Sequence, residues 1–140
     1  MTTRRYAQGT DVPVSRSQDE IRDALRKLGA DQIGVMEGGG RGYVVFKIRD
    51  TLYRIASPEI KAKRGASIEP EQRRRWRAIV LLVKARSVAI QEGITTVERE
   101  FLADAVMPDG SVFADHSPRL IEQAYKDNGP PKLLMLGAPS

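Results

Sequence analysis

The chain of 140 residues contains no cysteine. Disulfide staples and thiolate metal sites are therefore excluded, and a reducing compartment is the expected setting. A single histidine, His116, rules out any site that needs two imidazoles, and neither a Ser-His-Asp nor a Cys-His arrangement is expected. Any catalysis would fall to carboxylates or a lysine. Aromatics are sparse, with one tryptophan, four tyrosines and three phenylalanines. No apolar run approaches the ~20 residues needed to cross a bilayer. The longest, residues 78–83, sits inside a helical pattern. The first residues carry Arg4 and Arg5 with no apolar stretch behind them, so no secretory signal and no membrane partner are expected. These absences leave a cytoplasmic, unprocessed protein as the expectation, with no cofactor and no metal.

What is present is concentrated charge. Between residues 61 and 77 stand Lys61, Lys63, Arg64, Arg73, Arg74, Arg75 and Arg77 against only Glu69 and Glu71. Seven cations against two carboxylates give +5, the net charge of the whole chain, so the remaining segments sum to zero. A cationic patch of this density on a folded scaffold is the electrostatic footprint of a nucleic-acid binder. Arginine suits phosphate because its planar fork donates two parallel hydrogen bonds and does not lose its proton. The arginines also open a helix, where cations oppose the macrodipole, and that placement argues for an anionic partner.

Periodicity gives the architecture. Ser17 followed by Glu20 reads as a capping box for a first helix. Ile21, Ala24, Leu25 and Leu28 form its apolar stripe, and Gly29 ends it. Val12 to Val14 reads as a short edge strand. Residues 32–36, 43–49 and 52–56 read as three strands in an antiparallel meander. Gly38 to Gly40 make the first hairpin loop and Asp50-Thr51 the second turn. A polar connector over 59–67 leads to a long helix from Ser67 or Glu69 to Glu92. Trp76, Ile79, Val80, Val83, Ser87 and Ile90 share one face of it, and Leu81, Leu82 and Val88 outside that stripe mark it as central. Thr95 with Glu98 caps a third helix to about Ala105, with Val97, Phe101, Leu102 and Ala105 facing inward. Ser117-Pro118 opens a fourth, with Leu120, Ile121, Ala124 and Tyr125 apolar. The expected fold is α+β: a three-stranded antiparallel meander packed on helix 1 and a long central helix, with two further C-terminal helices. The expected organisation is one domain over 1–140. An α/β part (12–58) and a helical part (67–128) share one core, 1–11 and 129–140 are extended tails, and Leu133 to Leu136 dock on the body.

Candidate contacts follow from the charge. On the long helix Arg73, Arg77 and Lys84 fall in one angular sector, Arg75 and Arg86 in another, and Arg74 between. Lys61, Lys63 and Arg64 gather near them, and Arg41 at the glycine-rich hairpin touches a backbone phosphate. The expected nucleic-acid contacts are therefore Lys61, Lys63, Arg64, Arg73, Arg74, Arg77, Lys84 and Arg41, acting on phosphates rather than on base edges. An acidic host protein is the alternative partner. Trp76 heads an apolar stripe and reads as core rather than a base-stacking residue. Gly38 to Gly42 lack the lysine-serine ending of a phosphate loop. Glu100 and Asp104, four apart, have the spacing of a divalent-ion pair, but that spacing is common on exposed helices, and no metal site is assigned. His116 beside Asp115 reads as part of a helix cap.

One resemblance covers most of the chain. Tyr6-Ala7, Val12-Pro13-Val14-Ser15-Arg16-Ser17 and Glu20-Ile21 begin it. Arg75-Trp76-Arg77-Ala78 with Val83-Lys84-Ala85 continue it. Glu92-Gly93-Ile94-Thr95-Thr96, Glu100-Phe101-Leu102-Ala103, Pro108-Asp109-Gly110, Ala124-Tyr125 and Pro130-Pro131 complete it. Together these resemble a family of small bacteriophage and prophage proteins. The resemblance implies expression inside a bacterial host and a role in phage DNA metabolism, regulation or counter-defence. It assigns no catalytic or binding residue. The order helix, three-stranded meander, helix is also that of double-stranded RNA-binding domains, which place basic residues at the start of their second helix. The likeness is one of topology, since this chain lacks their histidine in the first hairpin loop.

Overall fold

The computed structural model describes residues 11–132. The order of elements is α1 (Val14–Lys27), β1 (Ala30–Gly38), β2 (Arg41–Ile48), β3 (Thr51–Ala56), α2 (Glu69–Gln91), α3 (Val97–Glu100), two 3-10 turns (Leu102–Asp104 and Phe113–Asp115) and α4 (Ser117–Asn128). The three strands form one antiparallel sheet in the order β1-β2-β3. The fold is α+β, with α1 and the long α2 packed on the sheet. The docking of Leu133 to Leu136 and most of both tails lie outside the described residues.

Each layer hides its apolar side against the other, because neither can do so alone. On β2 every second residue is buried, and Val44, Phe46 and Ile48 point at the helices. Ile33 and Val35 of β1 and Tyr53 and Ile55 of β3 stand beside them in register. Ile21, Ala24 and Leu25 of α1 meet them, together with Trp76, Ile79, Val80 and Val83 of α2. Val97 and Phe101 complete the same buried cluster. Phe46 stacks on Tyr53 at 5.3 Å and meets Phe101 edge-on at 5.1 Å. Such pairs contribute about 0.5–1.5 kcal/mol each beyond the area they bury. The guanidinium of Arg86 lies 5.1 Å over the Phe101 ring and bonds Asp104 at 2.9 Å. Burial pushes the Asp104 carboxyl above its usual range, and Arg86 opposes that push.

Several local expectations are corrected. Val12 to Val14 do not form a strand. Pro13, extended at φ −59 and ψ 148, is the N-cap residue of α1, and Val14 is its first helical residue. Proline's fixed φ and absent donor suit a helix start. The capping box of Ser17 and Glu20 is consequently not formed. Ser17 lies inside the helix, its amide bonding the Pro13 carbonyl at 3.2 Å. Its hydroxyl is buried without a partner among the described residues. The second turn falls one residue earlier than expected, at Arg49-Asp50, with Arg49 left-handed at φ 56. The first turn is Gly39-Gly40, both at positive φ (59 and 75), as a two-residue hairpin of right twist demands.

The C-terminal third differs most. The N-cap of α3 is Thr96, whose hydroxyl accepts from the Arg99 amide at 3.2 Å, and the helix lasts one turn. Leu102 is exposed, and Ala105 bridges to Tyr53 on the free edge of β3. Leu82 and Val88 of α2 are also exposed, so that helix buries one stripe only. On α4, Leu120, Ile121 and Tyr125 are 58, 59 and 50% exposed. Among the described residues, no helix is long and apolar enough to cross a membrane.

Candidate nucleic-acid interface

The cations of residues 61–84 divide into two groups with different environments. The first lies on α2. Glu69 and Glu71 in its first turn face the arginines one turn on. Arg73 bonds Glu69 at 3.1 Å, Arg74 pairs with Glu71, and Arg75 lies 3.7 Å from Glu71. A carboxylate three or four residues before an arginine is the favourable helical order. The placement of arginines at a helix start thus has a local explanation in these two carboxylates. Further along, Arg77 donates both guanidinium nitrogens to Glu20 of α1, the second at 3.2 Å, and Lys84 bonds the same carboxylate at 2.6 Å. These two hydrogen-bonding partners hold the Glu20 carboxyl down from its ordinary 4.5 to about 2. Glu20 joins α1 to α2. Nothing local marks it as a counter-ion, since its partners stand 57 and 64 residues away.

The second group lies on the connector and hairpin. Lys61, Lys63 and Arg64 are exposed. They and Arg41 make none of the ion pairs seen among the described residues. The fold brings Arg41 to them. The Ile60 amide donates to the Gly40 carbonyl at 2.9 Å, so the chain leaving β3 runs against the tip of the β1-β2 hairpin. Gly40 permits this approach, since a Cβ there would stand 2.6 Å from the Ile60 carbonyl oxygen. Arg41 and Lys61 are thereby the residues next to a shared contact. Ser57 clamps the base of the arrangement: its amide donates to the Gly42 carbonyl and its hydroxyl accepts from the Gly42 amide, both at 2.9 Å. Beneath the connector lies an open depression of about 440 Å³ whose wall includes Lys61, Lys63, Glu71 and Arg75. Arg75 reaches across it to the Pro58 carbonyl at 3.3 Å. Lys61 and Lys63 thus lie on the flank of α2 that carries Arg75, while Arg77 and Lys84 face α1.

Trp76 is core, 1% exposed, with its indole N–H on the Glu37 carboxylate. It fills the space that a side chain at Gly42 would need, and a Cβ there would stand 2.7 Å from its ring. The helix that would place Glu100 one turn before Asp104 ends at Glu100, and Asp104 turns to Arg86. Among the described residues no three His, Asp or Glu side chains form a metal-sized cluster. His116 is the N-cap residue of α4, its carbonyl accepting from the Leu120 amide at 3.3 Å, and its side chain makes no cap bond. Its ring bonds the Ser111 hydroxyl at 2.6 Å, and that hydroxyl donates to Asp109 at 2.5 Å. Asp109 also accepts from the Ser111 amide at 2.9 Å, so both donors of Ser111 close this turn.

Two cations outside the charge-dense segment, Lys47 and Arg54, stand on the sheet face turned away from the helices. Their signal in the sequence is the period-two alternation of β2 and β3, which sets them opposite the buried residues. Comparisons with protein-family models, with curated proteins and with solved structures return no match to this chain.

Proposed function

We propose that the chain is a nucleic-acid-binding protein that grips phosphates with Lys61, Lys63, Arg64 and Arg41 at the connector and hairpin end. The observation that supports this reading is the contrast in pairing. Arg73, Arg74, Arg75, Arg77 and Lys84 are partnered by Glu20, Glu69 and Glu71, whereas exposed Lys61, Lys63 and Arg64 and half-buried Arg41, around the Gly40–Ile60 contact, make no ion pair among the described residues. A solvated cation that keeps its counterions can exchange them for phosphate, and their release drives binding at moderate salt. Arg77 and Lys84 then hold α2 to α1 through Glu20, Arg73 and Arg74 support the first turns of α2, and all four add a screened positive background. The contacts proposed are to phosphates, so affinity depends little on base sequence. With the resemblance to small phage and prophage proteins, the place for such an activity is phage DNA metabolism or regulation in the bacterial cytoplasm.

The test is an anisotropy titration of labelled DNA and RNA oligonucleotides across a salt series. Affinity should fall steeply as salt rises from about 50 to 200 mM. The combined Lys61→Glu, Lys63→Glu and Arg64→Glu variant should lose most of it with its circular dichroism unchanged. Affinity indifferent to salt, or no binding at low salt, would refute the reading. A stoichiometric protein that stays bound through nuclease treatment would assign these cations to an acidic protein surface instead.

A further inference from the structure

The outward face of the sheet carries features that a phosphate grip at the connector does not use. The register places Tyr43 between Met36 and Ala56, Val45 between Gly34 and Arg54, and Lys47 between Gln32 and Leu52. Arg41 lies on the same face, two residues before Tyr43. Three cations therefore occupy this face, and none of its register positions holds a carboxylate. Arg41, Lys47 and Arg54 make no ion pair among the described residues, in contrast to the arginines of α2. Lys47 and Arg54 are diagonal neighbours across β2 and β3, about 7–8 Å apart in such a ladder, where like charges repel.

Between these cations the floor is apolar. Met36 is half exposed and Leu52 is 39% exposed. With Val45 they border a shallow depression of about 320 Å³ over Gly34. Gly34 keeps it open: a Cβ there would find only the Met36 Cε at 3.8 Å and the Val45 carbonyl at 4.0 Å. A water-facing sheet ordinarily mixes both signs of charge. An acid-free set of cations around an aromatic ring and an apolar hollow suits a partner that is anionic along one edge and flat and apolar along another.

We propose that this face is a platform for single-stranded nucleic acid. One base stacks on Tyr43, a neighbouring base enters the hollow over Gly34, and Arg41, Lys47 and Arg54 hold the phosphates. The proposal rests on the nucleic-acid reading above and names its substrate class, with Arg41 common to both sites. A duplex keeps its bases stacked on one another and offers a flat sheet only its phosphates. The aromatic and apolar part of this surface gains contact only from unstacked bases.

The experiment is an anisotropy titration of the full chain with a labelled oligothymidylate of about 12 nucleotides, within the span that one such surface accommodates, and with a hairpin duplex. The expected result is tighter binding of the single strand. Tyr43→Ala should weaken it by about 5- to 150-fold, the loss of one stacked base. Tyr43→Phe should restore it, because the ring and not the hydroxyl is used. Lys47→Glu with Arg54→Glu should weaken it at least tenfold and make the salt dependence shallower. Equal affinity for both oligonucleotides, with Tyr43→Ala binding like the parent, would overturn the platform while leaving the connector grip standing. Loss of all binding on charge reversal at Lys61, Lys63 and Arg64 alone, with the sheet variants silent, would likewise overturn the platform and spare the grip. No binding of either oligonucleotide would overturn both readings. Self-association that Tyr43→Ala abolishes, without any effect on oligonucleotide affinity, would make the face a contact between copies and overturn the platform.

Discussion

Glu20→Gln isolates the ion-paired junction between α1 and α2. The carboxylate accepts from Arg77 and Lys84 together, and its pKa falls from 4.5 to about 2. At ~1.36 kcal/mol per unit, a drop of roughly 2.5 units sets a ceiling of about 3.4 kcal/mol. Lys84 is half exposed, so solvent screens part of that, and the expected loss is about 1–2 kcal/mol at neutral pH. For a chain of this size the loss corresponds to a Tm lower by about 3–8 °C. Because folding depresses this pKa, the carboxylate stabilises the fold in full above its unfolded value of 4.5 and progressively less as pH falls toward 2. The glutamine variant loses that dependence. Urea unfolding of parent and variant at about pH 7 and about pH 2.5 therefore shows a stability gap that shrinks to roughly a quarter in acid. A gap of the same size at both pH values, or no gap at pH 7, would refute the ion-pair account of this junction.

Three further outcomes follow from packing. Gly42→Val should cost about 1–3 kcal/mol in urea unfolding, because its Cβ would press within 2.7 Å of the buried Trp76 ring; a smaller loss would mean that the indole yields. Gly40→Ala meets both a left-handed φ of 75 and the Ile60 carbonyl at 2.6 Å. It should detach the connector from the hairpin and weaken oligonucleotide binding along with stability, and unchanged affinity would separate Arg41 from Lys61. Ser17→Ala removes a buried hydroxyl that has no partner among the described residues and introduces a better helix former. It should raise stability by about 0.5–1 kcal/mol, and a fall in Tm would show that the hydroxyl is satisfied in solution.

Much of the architecture was legible because it is written in short-range pattern. The stripe of Ile21, Ala24 and Leu25, the alternation of Val44, Phe46 and Ile48, and the run of Trp76, Ile79, Val80 and Val83 each announce a buried face at the right period. Gly39-Gly40 announces the hairpin turn. The boundaries that moved did so where two local signals competed. Val12 to Val14 read as an extended piece and Ser17 as the helix start, whereas Pro13 is the N-cap residue and the helix begins at Val14. Phe101 and Leu102 suggest a continuing helix, but Phe101 is drawn into the aromatic cluster with Phe46 and Tyr53, and the α-helix ends at Glu100.

The candidate site was less legible, because ion pairing is a long-range property. The charge count in residues 61–77 registers each arginine equally and cannot see that Glu20 neutralises Arg77 from another helix. Lys47 and Arg54 are inconspicuous in the sequence, where each is one polar residue in an alternating strand. They become neighbours only once the β2-β3 register sets Val45 opposite Arg54 and Lys47 opposite Leu52. The proximity of Arg41 to Lys61 likewise depends on one backbone hydrogen bond between Ile60 and Gly40.

The most direct measurement of the central claim is an amide chemical-shift titration of the isotopically labelled protein with a short single-stranded oligonucleotide at low salt. The account requires the largest perturbations on residues 41–47, 52–56 and 60–64, with the α1–α2 junction around Glu20, Arg77 and Lys84 nearly silent. Perturbations centred on that junction, or a spectrum that does not move, would contradict it.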